Sequence, residues 1–133
     1  MDLRPQVGNT PMLPLTIGEY TVWGKAEFMN PGGSVKDRPV AHIIAESEKL
    51  GLLKPGDTIC EATSGNTGIA LAMIARLHDL HIEIVMPENS TIERVLTMRA
   101  FGAIVTLTPE SEGMEGAIDY AKKKVAEEGY ITL

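Results

Sequence analysis

The stretch TICEATSGNTGIALA, residues 58–72, carries the clearest structural pattern in this sequence. Its first residues form a short apolar run, which predicts a buried strand. The small and polar residues that follow, 63–68, predict a turn, and the alanine-rich run after them predicts a helix. A strand that passes through a short turn into a helix is the building unit of a parallel α/β sheet.

The same alternation of strand and helix continues to the last residue of the sequence. Further short apolar runs at 82–86, 104–107 and 130–133 are separated by segments with helical spacing. Strands joined in this way need right-handed crossovers, so the fold class is predicted to be α/β. We expect three layers, with a mainly parallel four-stranded sheet and helices on both faces. The strand near residue 58 is expected to lie centrally, with 82–86 and then 104–107 on one side and 130–133 on the other.

The first fifty residues follow a different pattern. Residues 1–18 contain three prolines and are predicted to form a loop. Residues 21–28 alternate between apolar and polar types, which predicts a strand. Helical spacing then runs from Ser34 to Leu50, although Pro39 would kink a helix at any position beyond its first turn.

Length, charge and cysteine content restrict the class of protein. A chain of 133 residues fits one domain, and a net charge of −6 disfavours a general surface for nucleic acid or anionic membrane. No apolar run reaches the roughly 20 residues that a membrane-spanning helix needs. The single cysteine, Cys60, cannot form an internal disulfide, and this fits a reducing compartment, so we expect a cytoplasmic protein.

A first candidate for chemistry is the segment NPGGSVKDR, residues 30–38. Lys36 can form a Schiff base when its amine is neutral. Gly32 and Gly33 let the backbone approach a bulky ring closely, and a helix that begins at Ser34 would place its positive dipole near the amine. The alternative is a solvated surface lysine in front of a helix.

A second candidate is the turn TSGNTG, residues 63–68. A turn between a strand and a helix presents unpaired backbone N–H groups to an anion, and Thr63, Ser64 and Thr67 add hydroxyl groups. The sequence lacks Gly-x-Gly-x-x-Gly and Gly-Lys-Ser/Thr motifs, which disfavours a dinucleotide or P-loop phosphate site. The alternative is an ordinary helix N-cap.

Together the two segments resemble the signature of the β-family (fold type II) pyridoxal-phosphate enzymes. Within that family, residues 61–72 are most similar to cysteine synthases (O-acetylserine sulfhydrylases), and nearest to the B isozymes. The resemblance implies that Lys36 is the catalytic and cofactor-binding lysine and that Asn66 donates to the ring hydroxyl of the cofactor. It also implies that the substrate carboxylate is bound by Thr63, Ser64, Gly65, Asn66 and Thr67, and it implies no metal.

The resemblance also predicts what accompanies this chain. Family members continue into a second, larger domain that binds the cofactor phosphate. Residues 1–35 would belong with that domain, and residues 36–133 would form the small α/β domain. Without the phosphate-binding domain, we expect pyridoxal 5'-phosphate to bind weakly or not at all. We also expect the exposed interface to make the chain a homodimer or a self-associating fragment.

The function implied is the N-terminal portion of a β-replacement enzyme that makes L-cysteine from O-acetylserine and a sulfur donor, inactive on its own. Nucleic acid and membrane are not expected partners. The alternatives are a cystathionine β-synthase, a serine/threonine dehydratase-like enzyme, or a non-catalytic folding or assembly fragment.

Five other residues receive structural interpretations. Asp37 and Arg38 are predicted to contribute first-turn helix electrostatics and a weak surface pair. Cys60 is predicted to be a buried small apolar residue rather than a redox group. His78 and His81 are not expected to bind zinc, because a histidine pair would need further ligands such as Asp79, and Cys60 lies far along the chain.

Overall fold

The computed structural model of this chain describes residues 3–133. Five strands and four α-helices follow one another along it. The strands are β1 (Met12–Ile17), β2 (Tyr20–Lys25), β3 (Thr58–Ala62), β4 (His81–Pro87) and β5 (Ile104–Thr108). The helices are α1 (Asp37–Lys49), α2 (Asn66–Leu77), α3 (Ile92–Ala100) and α4 (Gly113–Glu128).

The central sheet is parallel and has the order β3-β4-β5. Ile59 lies opposite Ile82, and Ile84 lies opposite Val105. This confirms the predicted α/β class and the predicted arrangement of these three strands, because β3 has β4 and then β5 on one side.

The predicted fourth strand, 130–133, is reduced to a single parallel bridge between Ile131 and Ile59. It lies on the expected side of β3 and makes two backbone hydrogen bonds there, at 2.8 and 2.9 Å. The pairing with β3 stops after Ile131 because the next polar groups form hydrogen bonds with a side chain instead of with the backbone of β3. Thr132 Oγ1 and the Leu133 N–H both donate to the Glu61 carboxylate, at 2.6 and 2.5 Å. The four-stranded prediction was therefore wrong by one strand.

Helices cover both faces of the sheet and produce two separate cores. On one face, α1, α2 and α3 enclose a large aliphatic core that includes Ile44, Ile74 and Met98, together with Ile59 and Ile84 of the sheet. On the other face α4 packs Ala117 and Ala121 against Cys60 and Val85. Alternate residues of each strand serve the two faces, and this is why the strands read as continuous apolar runs.

The N-terminal prediction needs correction. Residues 12–17, predicted as loop, form β1, and the strand predicted over 21–28 is β2, which ends at Lys25. The two strands pair as an antiparallel hairpin, with Ile17 opposite Tyr20 and Gly18 at φ 62° in the two-residue turn. Both strands are exposed almost throughout. Strand β1 has no buried face and therefore gives no strong alternation, and the prolines of this segment favoured a loop prediction.

Helix α1 begins at Asp37, three residues after the predicted start. Pro39 consequently lies in the first turn, where its missing N–H removes no intrahelical hydrogen bond. The expected kink therefore has no cause. In the described part of the chain, no helix has the length and apolar character needed to cross a bilayer.

Candidate active site

Lys36 is the residue immediately before α1, at the end of a tight turn. The Gly33 N–H donates to the Asn30 carbonyl at 2.8 Å, and Gly33 has φ 82°, a conformation that favours glycine. The Lys36 N–H donates to Ser34 Oγ at 3.2 Å. The Lys36 side chain is exposed, and its amine has no hydrogen-bond or ion-pair partner among residues 3–133. The turn therefore presents a free amine at the N-terminal end of α1.

Asp37 is fully buried, which contradicts the predicted surface pair with Arg38. Its Oδ2 accepts the Gly32 N–H at 2.5 Å. Burial raises the pKa of the Asp37 carboxyl, the hydrogen bond from Gly32 lowers it, and the charge of Glu27 raises it; the net direction is upward. This burial could not be predicted from the sequence, because an acidic residue in the first turn of a helix is ordinarily solvated.

Arg38 forms its ion pair with Glu27 instead. The guanidinium donates through Nε to Glu27 Oε2 at 2.8 Å and through Nη2 to Oε1 at 2.9 Å, a bidentate geometry. Arg38 Nη2 also donates to Thr10 Oγ1 at 3.1 Å. Thr10 Oγ1 in turn donates to Glu27 Oε1 at 2.7 Å. The hydrogen bonds to the Glu27 carboxylate lower its pKa to about 2, with Arg38 as the largest cause and Thr10 the next. The prediction that Arg38 belongs to a weak surface pair with Asp37 was wrong.

Asn30 extends the same network toward the lysine turn. Its amide nitrogen donates to the Glu27 carbonyl at 2.8 Å and to Glu27 Oε2 at 3.0 Å, and its Oδ1 accepts the Gly8 N–H at 2.8 Å. Residues 8–10, 27–30 and 38 are therefore tied together around Glu27. We call this group the Glu27 network. It fixes both ends of the segment that carries Lys36.

The second candidate segment, residues 63–67, connects β3 to α2. Helix α2 begins at Asn66 with Gly65 as its N-cap, and no side chain caps it. In an ordinary N-cap, a side chain accepts a hydrogen bond from one of the first N–H groups of the helix. No side chain does so at the start of α2. The first N–H groups of a helix have no intrahelical acceptor, so those of Asn66 and Thr67 are open to an anion.

A cavity of about 320 Å³ lies beside this turn. Thr63 and Thr67 line it, together with Val40 of α1. Val40 lies one helical turn after Lys36, so the cavity borders the same end of α1 that carries the lysine. Thr63 and Thr67 are thus brought together, whereas Asn66 is exposed and does not line this cavity.

Helix α3 supports the turn from behind, and sequence reasoning missed this. Arg94 Nη1 donates to the Ser64 carbonyl at 3.2 Å. One turn later on α3, Met98 contacts Gly68, where an added Cβ would lie 2.7 Å from Met98 Cε and 3.0 Å from Thr63 Cγ2. Gly68 is therefore a close-packing position whose main neighbour is helix α3.

The surroundings of Cys60 and His78 indicate that both residues have structural roles. Burial, with the charges of Glu83 and Glu61, raises the pKa of the Cys60 thiol to about 11, so the thiol is un-ionised at neutral pH. His78 Nδ1 lies 2.7 Å from Glu48 Oε2 and links α2 to α1. Residues 3–133 contain no cluster of three or more histidine, cysteine or acidic side chains suited to a metal ion.

The chain is similar to known proteins of one family. A family model described as pyridoxal-phosphate dependent enzyme matches residues 3–133. The chain belongs to this family. It is 50% identical over 123 residues to cysteine synthase B of Salmonella typhimurium, covering 90% of this chain and 41% of that protein. It is 44% identical over 136 residues to a cysteine synthase of Aquifex aeolicus, covering 96% and 42%.

Solved structures of the family share the fold closely. O-ureido-L-serine synthase superposes with a TM-score of 0.93 at 38% identity, covering 98% of this chain and 42% of that one. An O-acetylserine dependent cystathionine beta-synthase from Helicobacter pylori superposes with a TM-score of 0.85 at 42% identity, covering 93% and 42%. The chain therefore spans about two-fifths of the length of these pyridoxal-phosphate dependent enzymes.

The residues of this chain fit the cofactor of the family at one position and an amino-acid substrate at another. A free, exposed amine on Lys36 suits a group that carries an aldehyde, because no neighbouring anion holds it. The turn at 63–67 offers unpaired N–H groups and hydroxyls beside a cavity, which suits a carboxylate.

Proposed function

We propose that this chain is the N-terminal part of a pyridoxal-phosphate dependent enzyme that makes L-cysteine from O-acetylserine and a sulfur donor. The observation that carries the proposal is the free Lys36 amine at the start of α1, one turn from the cavity that Thr63 and Thr67 line. Membership of the family and similarity to cysteine synthases along nine-tenths of the chain support it.

Each residue receives a specific role in this proposal. Lys36 holds the cofactor covalently and, once released, takes the α-proton of the substrate on Nζ and returns it. The hydroxyls of Thr63, Ser64 and Thr67 and the N–H groups of residues 64–67 bind the substrate carboxylate and so fix the α-carbon. The Thr63 N–H donates to the Val85 carbonyl at 3.0 Å instead. Asn66 donates to the ring hydroxyl of the cofactor. When bound, pyridoxal phosphate supplies an electron-withdrawing ring that stabilises negative charge at the α-carbon.

The exposure of the hairpin supports a division of the parent protein into two parts. Leu15, Ile17, Tyr20 and Trp23 have 52% to 76% of their surface open to solvent. An apolar surface of this kind on a soluble protein is usually covered. We propose that residues 1–35 pack on the remainder of a longer protein, which also supplies the phosphate-binding loop. Residues 36–133 then form the small domain, and the chain alone is inactive and self-associates in the cytoplasm.

The test uses pyridoxal phosphate with borohydride, which fixes the cofactor to lysine amines, followed by peptide mapping. We expect low total labelling concentrated on Lys36, and no cysteine formation from O-acetylserine and sulfide. Adding the remaining part of a cysteine synthase B in trans should restore cysteine formation, and Lys36→Ala should abolish it. Lys122→Ala, a change at an exposed lysine of α4, is the control that should have no effect. Labelling spread evenly over the lysines would contradict the proposed site.

A second candidate function is cystathionine formation. It is favoured by the similarity of the chain to two solved cystathionine beta-synthases, from Helicobacter pylori and Bacillus anthracis. The complemented enzyme decides between the two. A thiol amino acid accepted in preference to sulfide would favour cystathionine formation.

A further inference from the structure

In the turn that carries Lys36, the burial of the Asp37 carboxylate has no explanation in the roles described so far. Lys36 is exposed and Arg38 is half-buried, yet Asp37 between them has no exposed surface. Arg38, the adjacent cation, points to Glu27 and leaves Asp37 without a counter-charge. Its Oδ1 is buried and has no hydrogen-bond partner among the described residues. A buried carboxylate without a cation is unfavourable, so its retention needs a specific cause.

First-turn helix electrostatics do not provide that cause. An acidic side chain near a helix N-terminus is stabilised by the dipole while it remains in water. Glu93, an exposed acid in the first turn of α3, shows the ordinary arrangement. Asp37 occupies the matching region of α1 but turns inward.

Asp37 and the preceding turn are shaped for each other. The Gly32 N–H donates to Oδ2 at 2.5 Å, which closes a ring from residue 32 to residue 37 with Lys36 inside it. A Cβ on residue 32 would lie 2.4 Å from Oδ1 and 2.9 Å from Oδ2, so only glycine leaves room for the carboxylate. The glycine at position 32 is thus required by Asp37, in addition to any approach of a ligand.

We propose that Asp37 is a positioning residue for Lys36: its carboxylate fastens the Gly32 turn and so fixes the direction in which the lysine side chain leaves the backbone. Arg38, through Glu27, provides the second anchor on the opposite side. This inference rests on the proposed role of Lys36 as the cofactor-binding lysine. Asp37 itself touches neither substrate nor cofactor in this scheme.

The test compares Asp37→Ala, Asp37→Asn and the control Glu93→Ala in the 133-residue chain. The readout is the ratio of borohydride-fixed pyridoxal phosphate on Lys36 to that on Lys122. Asp37→Ala should lower this ratio about tenfold or more, since a misplacement of about 1 Å can cost about 100-fold. Asp37→Asn should retain most of the ratio, because its amide oxygen still accepts the Gly32 N–H. Glu93→Ala should leave it unchanged.

Amide hydrogen exchange of Gly32 supplies an independent readout. Asp37→Ala should speed this exchange while β4 amides such as that of Ile84 stay protected. An unchanged label ratio in folded Asp37→Ala would overturn the inference and leave the role of Lys36 intact. Even labelling in the unmodified chain would instead overturn the proposed function. If Asp37→Ala does not fold, Gly32→Ala decides, because its Cβ would lie 2.9 Å from Asp37 Oδ2 and would displace the carboxylate. Folded Gly32→Ala should show a lowered label ratio, and an unchanged ratio would contradict the inference.

Discussion

Gly68→Ala tests whether α3 packs against the anion-binding turn as closely as the structure indicates. The new methyl group would lie 2.7 Å from Met98 Cε and 3.0 Å from Thr63 Cγ2. Met98 is fully buried, so its side chain must shift within a filled core. Overpacking of this kind costs about 1–3 kcal/mol. Alanine in a helix gains about 1 kcal/mol over glycine. We expect a net loss of about 1 kcal/mol, which is about 3–6 °C in melting temperature for a domain of this size.

Chemical denaturation of single and double variants separates these contributions. Met98→Ala alone should cost about 2–5 kcal/mol, because it leaves a cavity. In the double variant Gly68→Ala/Met98→Ala, the added methyl group enters that cavity. The combined loss should therefore be smaller than the sum of the two single losses by about 1 kcal/mol or more. Gly65→Ala is the control for a glycine with no atom within 4 Å of its added Cβ. A stabilising Gly68→Ala, or additivity within about 0.5 kcal/mol, would refute the close contact.

Three further predictions concern individual groups. The pKa of Glu27 is lowered from 4.5 to about 2, so its contribution to stability is complete above pH 4.5 and is lost as the pH falls toward 2; an NMR titration should give a midpoint near 2 that rises in Arg38→Ala, and an unchanged midpoint would contradict the ion pair. Cys60, with a thiol pKa of about 11, should not react with a disulfide reagent at pH 8 until the chain is unfolded. Trp23 is 60% exposed, so its fluorescence should be quenched by iodide, and supplying the remaining domain in trans should reduce that quenching.

The strand–helix alternation after residue 58 was enough to predict most of the domain. Apolar strands such as β4 are buried on both faces, and this makes their signal continuous and their position in a parallel sheet predictable. The sequence prediction missed only β1 of the hairpin, because all six of its residues are exposed and give no alternation of buried and exposed positions. The fourth strand was predicted wrongly for another reason. The groups that follow Ile131 donate to the Glu61 side chain, and no sequence pattern specifies that they bond to a side chain rather than to the backbone of β3.

At the candidate site, sequence motifs identified the segments but not the contacts that hold them. Lys36 and residues 63–67 were predicted as site residues because their motifs resemble those of the family. The bidentate pair of Arg38 with Glu27 joins positions eleven residues apart across a turn, and Arg94 reaches Ser64 from thirty residues away. Pairings of this kind depend on how elements pack, so a reading of local sequence assigns such residues to the surface.

The two halves of the candidate site are held by different supports. Lys36 is fixed through Asp37 and the Glu27 network, which includes residues next to the hairpin. The turn at 63–67 is fixed by α3, through Arg94 and Met98. The distance between the halves depends on the packing of α1 on α2, where Val40 belongs to the buried core and Glu48 pairs with His78. Changes around Glu27 should therefore alter how the lysine is aimed while leaving anion binding intact, and changes on α3 should do the reverse. If the site were one rigid unit, every change would weaken lysine positioning and anion binding together. Separate losses would instead indicate two half-sites with independent supports.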